Sequence, residues 1–311
     1  MLGIGRVLYY AVPIIMTGLS VGFAFKTGLF NIGTPGQFII GAFAAVYVGV
    51  KWTFLPGSIH WLVAILAAFA AGGLWAVIPG VMKAYLNVNE VISSIMMNYI
   101  GMYLVNYSVS LVLFDALRNQ SLPVASTAVI PKMGFDKIFT GSPANGGFVI
   151  AILFVILIYI ILNKTSFGYE MKACGFNKDA SKYAGINEKR NIILSMVIAG
   201  ALAGVGGGLL YLSGSGKFIE VVDVLPAEGF NGIPVALLGL SNPIGVLFAG
   251  LFIAYLNVGG NAMQQFGFIP QIVDIIISCI IYCSALSLMI KVWLSKRRKT
   301  KELGTAKKEG E

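Results

Sequence analysis

The feature that most constrains the fold is the recurrence of apolar runs along nearly the whole chain. Each run approaches the roughly 20 helical residues that cross about 30 Å of hydrocarbon. Only 11% of the residues are charged, whereas soluble domains carry roughly 25%. The sequence therefore predicts an all-α integral membrane protein, a polytopic helical bundle without room for a large soluble domain. The predicted apolar segments are 7–25, 28–50, 59–83, 91–114, 148–163, 191–214, 230–258 and 269–294.

The positive charge is concentrated in two segments that adjoin apolar runs. Residues 164–190 hold six Lys or Arg and three acidic residues, and residues 291–311 hold eight and three. Basic residues beside membrane segments mark the cytoplasmic side, so this charge indicates topology rather than binding to nucleic acid. We predict a transmembrane domain over 1–294 with a cytoplasmic loop at 164–190, followed by a disordered basic cytoplasmic tail at 295–311.

Placing both basic segments in the cytoplasm requires an even number of crossings between them, but the apolar runs supply three. The turn signal Ser241-Asn242-Pro243 lies inside the run 230–258. A break there gives short pieces at 230–240 and 243–258 and a total of about nine crossings. Short or broken spans survive only inside protein or beside a watery cavity. We therefore place 229–243 at or near a pathway.

The same count places the amino terminus outside the cytoplasm. That location is unusual for a short chain start that carries Arg6 and no cleavable signal sequence. Either the topology is inverted or a further helix precedes Val7 and is missing from this sequence. We expect the second.

Polar side chains interrupt the apolar segments in both halves. Asn31 and Gln37 flank Thr34-Pro35-Gly36, which predicts a second helix interruption, and Ser94 and Asn98 share a helix face. Hydrogen bonding between helices would explain these amides, but two interrupted segments also favour a pathway between repeats, suited to an uncharged solute. The candidate pathway residues are Phe30, Asn31, Gln37, Ser94, Asn98 and Asn231.

Catalysis and metal binding are poorly supported. The single histidine, His60, is interpreted as a residue at the membrane edge, and the three cysteines lack metal-site spacing and suit a reduced, structural role. Residues 214–218 imitate a phosphate loop, but Tyr211 stands where its first glycine is required and Phe218 where Ser or Thr is required. We predict no catalytic residue and no metal site, so any ATP must be hydrolysed by another subunit.

Two other classes remain open. An ion-coupled secondary transporter would use Asp274 or Glu90, because charge inside a membrane is costly and usually functional. A membrane enzyme is disfavoured by the scarcity of His, Asp and Glu within the apolar segments.

Four motifs in order resemble one known family. GLFNIGTPGQFIIGAF at 28–43, NEVISSIMMNYI at 89–100, FGYEMKACGFNKDASKYAGI at 167–186 and GFNGIPVALLGLSNPIGVL at 229–247 are similar to permease subunits of bacterial ABC importers for nucleosides and simple sugars, which are related to branched-chain amino acid permeases. The resemblance extends from about residue 7 to residue 293. The second motif favours the nucleoside branch, and a simple-sugar permease is the alternative.

The resemblance implies a multi-pass permease of about ten spans in the bacterial plasma membrane, working by alternating access. It implies a pore between two permease subunits, of which the second is expected to be a paralogue. The other implied partners are a cytoplasmic ABC ATPase that holds ATP and Mg²⁺, an extracytoplasmic substrate-binding lipoprotein and membrane lipids, with no cofactor in this chain and no nucleic acid. Glu220, Asp223 and Glu228 form an acidic segment that could dock the lipoprotein, although ordinary solvation also explains it.

The resemblance also implies a short coupling helix that docks on the ATPase. Independently of it, Asn177 suits a helix N-cap and Gly185 suits a helix stop. The residues assigned to coupling are Asn177, Lys178, Asp179, Ala180, Tyr183, Ala184, Gly185 and Ile186.

Overall fold

The computed structural model describes residues 2–264, 269, 271–273, 275–280, 282–283 and 286. It divides into two compact units, Met1–Val258 and Gly259–Glu311. In the second unit, the described residues between 271 and 286 are helical. Asp274 and the predicted tail at 295–311 lie outside the described residues, and the predicted last span is described only in part.

Most of the described residues are helical, which confirms the predicted fold class. Two-residue strands at Phe114–Asp115 (β1) and Gln120–Ser121 (β2) form a small antiparallel hairpin. The helices are α1 (Leu2–Lys26), α2 (Thr34–Lys51), α3 (Gly57–Leu86), α4 (Glu90–Val112), α5 (Phe135–Ile138), α6 (Gly147–Lys164), α7 (Ser166–Phe176), α8 (Lys178–Tyr183), α9 (Glu188–Tyr211), α10 (Ala227–Phe230), α11 (Gly232–Leu238) and α12 (Pro243–Met263).

Within the described residues, six helices are long and apolar enough to cross a membrane: α1, α3, α4, α6, α9 and α12. The predicted total of about nine crossings corresponds to these helices, the 18-residue α2, the short α10–α11 segment and the partly described last segment. The buried centre is α9, which packs against α1, α2 and α3.

Helices α9 and α3 pack with their backbones in close contact at Gly200 and Gly204 of α9. A Cβ atom on Gly204 would lie 3.0 Å from the Cα atom of Gly72 in α3, and one on Gly200 would overlap the backbone of Gly72. Small residues at these positions let the two helix backbones approach closely.

The predicted break at Ser241-Asn242-Pro243 is confirmed. Helix α11 ends at Leu238, residues 240 and 241 adopt positive φ angles of 53° and 52°, and α12 begins at Pro243. Proline suits the first turn of a helix because its missing N–H would have no partner there.

The predicted interruption at Thr34-Pro35-Gly36 is wrong. Helix α2 begins at Thr34 with the proline in its first turn, and the non-helical backbone precedes it at residues 27–33. The proline therefore starts a helix instead of breaking one. The predicted apolar segment 28–50 began several residues too early because composition does not distinguish a buried loop from a helix.

His60, interpreted from the sequence as a residue at the membrane edge, lies in the first turn of α3 and is enclosed by the chain itself. Its side chain has no exposed surface. Its Nδ1 atom lies 2.8 Å from the Thr127 hydroxyl, and its Nε2 atom lies 3.0 Å from the carbonyl oxygen of Val48. His60 thus joins α2 and α3 to the loop at 113–146.

Candidate translocation pathway and coupling surface

The first turn of α2 and the short helices α10 and α11 meet beside α1. Gly229 lies so close to Pro35 that a Cβ atom on the glycine would overlap the Cα atom of the proline. A Cβ atom on Gly232 would lie 2.5 Å from the carbonyl carbon of Thr17, whose hydroxyl donates a 3.3 Å hydrogen bond to the carbonyl oxygen of Glu228. These contacts cover the backbone at Gly229 and Gly232 with protein, whereas Leu240 and Asn242 in the turn before α12 are exposed.

Helix α11 then follows α1 towards the end that holds α7 and α8. Gly232 lies beside Thr17, and Ala236 lies beside Gly22 farther along α1. The chain before α10 lies at the other end, where the hydroxyls of Ser215 and Tyr9 are 2.7 Å apart. The short α10–α11 segment thus runs in the direction that charge parity requires.

The predicted amides Asn31 and Gln37 form a reciprocal pair. Asn31 Nδ2 donates to Gln37 Oε1 over 2.8 Å, and Gln37 Nε2 donates to Asn31 Oδ1 over 3.1 Å. Asn31 also donates to the Ser20 hydroxyl over 3.3 Å. This network fastens the loop at 27–33 to α1 and α2.

A third amide, Asn98 of α4, fastens the other side of the same loop. Its Nδ2 atom donates to the carbonyl oxygen of Ile32 over 3.0 Å, and its Oδ1 atom accepts from the backbone N–H of Gly36 over 2.9 Å. Ser94 lies one turn earlier and is fully buried, and its hydroxyl has no hydrogen-bond partner among the described residues. A buried unpaired polar group is costly, by about 1–3 kcal/mol.

The predicted pathway residues fall into two groups. Phe30 is partly exposed and stacks on Phe25, with ring centroids 5.1 Å apart, and Asn231 is partly exposed at the junction of α10 and α11. The other four are buried, and three of them hold the loop in place through hydrogen bonds. The buried residues are Asn31, Gln37, Ser94 and Asn98.

The predicted caps of the coupling helix are present in α8. Asn177 accepts a 3.0 Å hydrogen bond from the backbone N–H of Ala180. Gly185 follows the helix with a φ of +79° and donates its N–H to the carbonyl oxygen of Lys182 over 3.0 Å. A left-handed glycine is a common helix stop, so the sequence located both ends of α8 correctly.

Of the aromatic side chains around α8, the sequence prediction included Tyr183 but missed Phe176 and Tyr169. Phe176 is 90% exposed and Tyr183 is 94% exposed, one before and one at the end of the helix. Tyr169 in α7 is 71% exposed. The available signal was a phenylalanine directly before the N-cap inside a basic segment. Large exposed aromatic groups are typical anchors of protein interfaces.

A buried polar cluster joins α7, α8 and α9. The Cys174 thiol donates to the Ser181 hydroxyl over 3.5 Å, and Asn191 Nδ2 donates to the Cys174 sulfur over 3.5 Å. Ser181 also donates to the carbonyl oxygen of Lys178 over 2.7 Å. This arrangement gives Cys174 the structural role expected of it and holds α8 against the bundle.

Three of the acidic residues proposed for other roles, Glu90, Glu228 and Asp223, have partners within the chain. Glu90 forms an ion pair with Lys83 over 2.8 Å. Glu228 pairs with Lys217, and Asp223 accepts a 3.2 Å hydrogen bond from Asn106. Within the described residues, no group of three or more His, Cys, Asp or Glu side chains could hold a metal ion.

The chain is similar to known permease proteins over most of its length. It is 39% identical over 95% of its residues to a guanosine ABC transporter permease protein of Bacillus subtilis strain 168, covering 84% of that protein. It is 36% identical over 99% of its residues to a nucleoside ABC transporter permease protein of Lactococcus lactis subsp. cremoris, covering 86% of it. It is 33% identical over 90% of its residues to a glucose ABC transporter permease protein of Haloferax volcanii, covering 75% of it.

The family model described as "Branched-chain amino acid transport system / permease component" matches residues 3–285. This range includes nearly all of the six membrane-length helices, the loop at 27–33, the break before α12 and α8. The chain belongs to this family of membrane-spanning ABC transporter permease components.

Proposed function

We propose that this protein is the permease subunit of an ATP-driven importer of nucleosides. The observation that carries the proposal is the 39% and 36% identity to guanosine and nucleoside permeases over nearly the whole chain. The 33% identity to a glucose permease favours simple sugars as the second candidate. Phe30 and Asn231, the candidate pathway residues with exposed surface, carry no charge, which supports an uncharged solute over an ionic one.

The proposed location is the bacterial plasma membrane, with α7 and α8 in the cytoplasm. The basic loop at 164–190 and the basic tail at 295–311 support this orientation. The permease domain would extend over residues 1–294, with the tail as a separate cytoplasmic segment. Membrane lipids would cover the outer helices, which expose large apolar side chains such as Leu66, Leu74 and Leu153.

The proposed mechanism is alternating access driven from the cytoplasmic face. A separate ABC ATPase would hold ATP and Mg²⁺ and would change shape as ATP binds. Helix α8 would dock on that ATPase, with Phe176 and Tyr183 entering pockets on its surface. Movement of α8 would then shift the permease between outward-open and inward-open states. Phe30 and Asn231 are the proposed contacts of the pathway that already have exposed surface.

The proposed assembly contains a second, paralogous permease and a substrate-binding lipoprotein. Two guanosine permease proteins of Bacillus subtilis resemble this chain, at 39% and 28% identity. Two nucleoside permease proteins of Lactococcus lactis do so at 36% and 28%. In each of these two organisms, this chain is more similar to one of the two permease proteins than to the other. This difference supports a partner permease that resembles the less similar protein.

The test is uptake by proteoliposomes that contain this chain with its ATPase, second permease and binding protein. We expect ATP-dependent accumulation of radiolabelled guanosine and little accumulation of glucose. Glucose uptake in its place would establish the sugar alternative. Guanosine uptake driven by a proton or sodium gradient without ATP would contradict the proposal and support a secondary transporter.

A further inference from the structure

Helix α7 touches the loop between α1 and α2 through two glycines, without any side chain between the backbones. A Cβ atom on Gly175 would lie 2.9 Å from the Gly28 nitrogen and 2.9 Å from the Lys26 carbonyl oxygen. A Cβ atom on Gly28 would lie 2.8 Å from the Cα atom of Gly175. Gly28 also has a φ of +74°, which other residues rarely adopt. Only glycine at both positions permits this contact.

The loop at 27–33, which begins at this contact, forms a rigid strut that is held by hydrogen bonds and packing. The Thr27 hydroxyl donates to the Ala24 carbonyl oxygen over 2.8 Å and is hydrogen bonded to Ser195 of α9. Leu29 is 2% exposed and packs in a cluster with Met196. Beyond it, the bonds from Asn31, Gln37 and Asn98 described above fix the remainder of the loop.

The far end of the strut touches helix α10. Pro35 follows the loop in the first turn of α2 and lies directly against Gly229 of α10. One connected series of backbone contacts thus extends from α7, through the loop at 27–33 and Pro35, to Gly229 of α10. Closely packed backbone has little room to absorb a displacement.

We propose a relay in which the Gly28–Gly175 contact transmits movement of α7 and α8 to the loop at 27–33, and through Pro35 to Gly229 of α10. This inference rests on the proposed function, because it assumes that α8 is moved by an ATPase. In this role the two glycines are positioning residues. They do not touch the solute, and they act through the strut that ends at Gly229.

The test compares Gly175→Ala with Gly3→Ala. Both glycines lie in helices, but Gly3 has no atom within 4 Å of an added Cβ, so its variant controls for the extra methyl group. Uptake and ATP hydrolysis are measured on the same proteoliposomes with the assembled transporter. We expect Gly175→Ala to lower ATP-dependent guanosine uptake by about tenfold or more, a factor within the range of energetic coupling between sites. ATP hydrolysis should continue at a nearly normal rate, and Gly3→Ala should retain both activities.

The outcomes separate this inference from the proposed function. If the unmodified transporter shows no ATP-dependent uptake, the proposed function fails and the relay fails with it. If it transports normally and Gly175→Ala also does, the relay alone is contradicted. A parallel loss of uptake and hydrolysis in Gly175→Ala would indicate a purely structural contact and would also contradict the relay.

A second measurement needs no substitution. Hydrogen exchange of the unsubstituted permease is measured in the assembled transporter with and without ATP. The ATPase in this assembly is a variant that binds ATP but does not hydrolyse it. We expect residues 27–33 to change protection together with residues 166–186. A change confined to 166–186 would overturn the relay, whatever the fate of the Gly175→Ala variant.

Discussion

At the scale of single residues, the exposed aromatic side chains of the coupling surface stand apart from the buried amides of the membrane domain. Phe176 and Tyr183 are almost fully exposed, so they do not stabilise the isolated chain. Asn31 and Asn98 are buried and use their side chains to hold backbone groups of a loop. The first pair is available to a partner, and the second pair is committed to the fold.

Replacing Phe176 and Tyr183 with alanine should weaken binding of the ATPase. Truncation of a well-packed interface aromatic costs about 2 kcal/mol or more, so we expect each change to lower affinity by roughly 30-fold. The measurement is binding of the purified ATPase to the permease in nanodiscs. Phe54→Ala is the matched control, because Phe54 is 77% exposed and follows α2, at the opposite end from α8. Unchanged affinity in both test variants would exclude these side chains as anchors.

At the scale of elements, α8 is defined by its caps and by its attachments rather than by its length. It has only six residues, too few to be stable as an isolated helix. Asn177 caps its start, Gly185 ends it, and the cluster around Cys174 holds it against α7 and α9. Such a helix can move as a unit only if its ends remain intact.

Substitutions at Gly185 should separate backbone strain from loss of space. No atom lies within 4 Å of an added Cβ, but the φ of +79° strains any residue with a side chain. Valine should be the worst replacement, and asparagine should be tolerated because it enters the left-handed region more easily. We expect Gly185→Val to abolish ATP-driven uptake and Gly185→Asn to retain most of it.

Solute capture by the binding protein is the control in the same assay, and it should be unchanged in both variants. Normal uptake by Gly185→Val would refute the assignment of α8 to coupling.

At the scale of the whole molecule, the helices run between an end that holds α7 and α8 and an end that holds β1, β2 and the segment before α10. The contact of Lys189 with the Tyr85 ring, 4.7 Å from its centroid, places the end of α3 at the first of these. The start of α3 is therefore at the opposite end. Basic residues assign the first end to the cytoplasm.

Labelling of single cysteines should test this orientation. In a background without the three native cysteines, Ser58→Cys and Asp179→Cys each introduce a thiol at an exposed position. We expect a membrane-impermeant maleimide to label Ser58→Cys in cells whose plasma membrane is intact and whose outer layers let the reagent through. Asp179→Cys should react only in inverted vesicles. The reverse pattern would mean that the topology is inverted.

Much of the architecture follows from local sequence. The apolar runs predicted the membrane-length helices, Ser241-Asn242-Pro243 predicted a break, and Asn177 with Gly185 predicted the ends of α8. Each of these features depends on the chemistry of neighbouring residues, such as side-chain capping and the geometry of proline. The start of α2 was misplaced because the loop at 27–33 is as apolar as a helix and is stabilised by contacts with distant parts of the chain.

The sequence by itself determined that this chain lies in a membrane as helices, where its charge concentrates and that one segment breaks at Ser241-Asn242-Pro243. Only the tertiary structure decided that α2 and α10 meet at Pro35 and Gly229, that Gly28 touches Gly175, and that Phe176 is exposed while His60 is buried. The physical reason is the range of the interactions. Hydropathy and capping act between near neighbours in the chain, whereas burial and close backbone contact depend on how remote segments pack together.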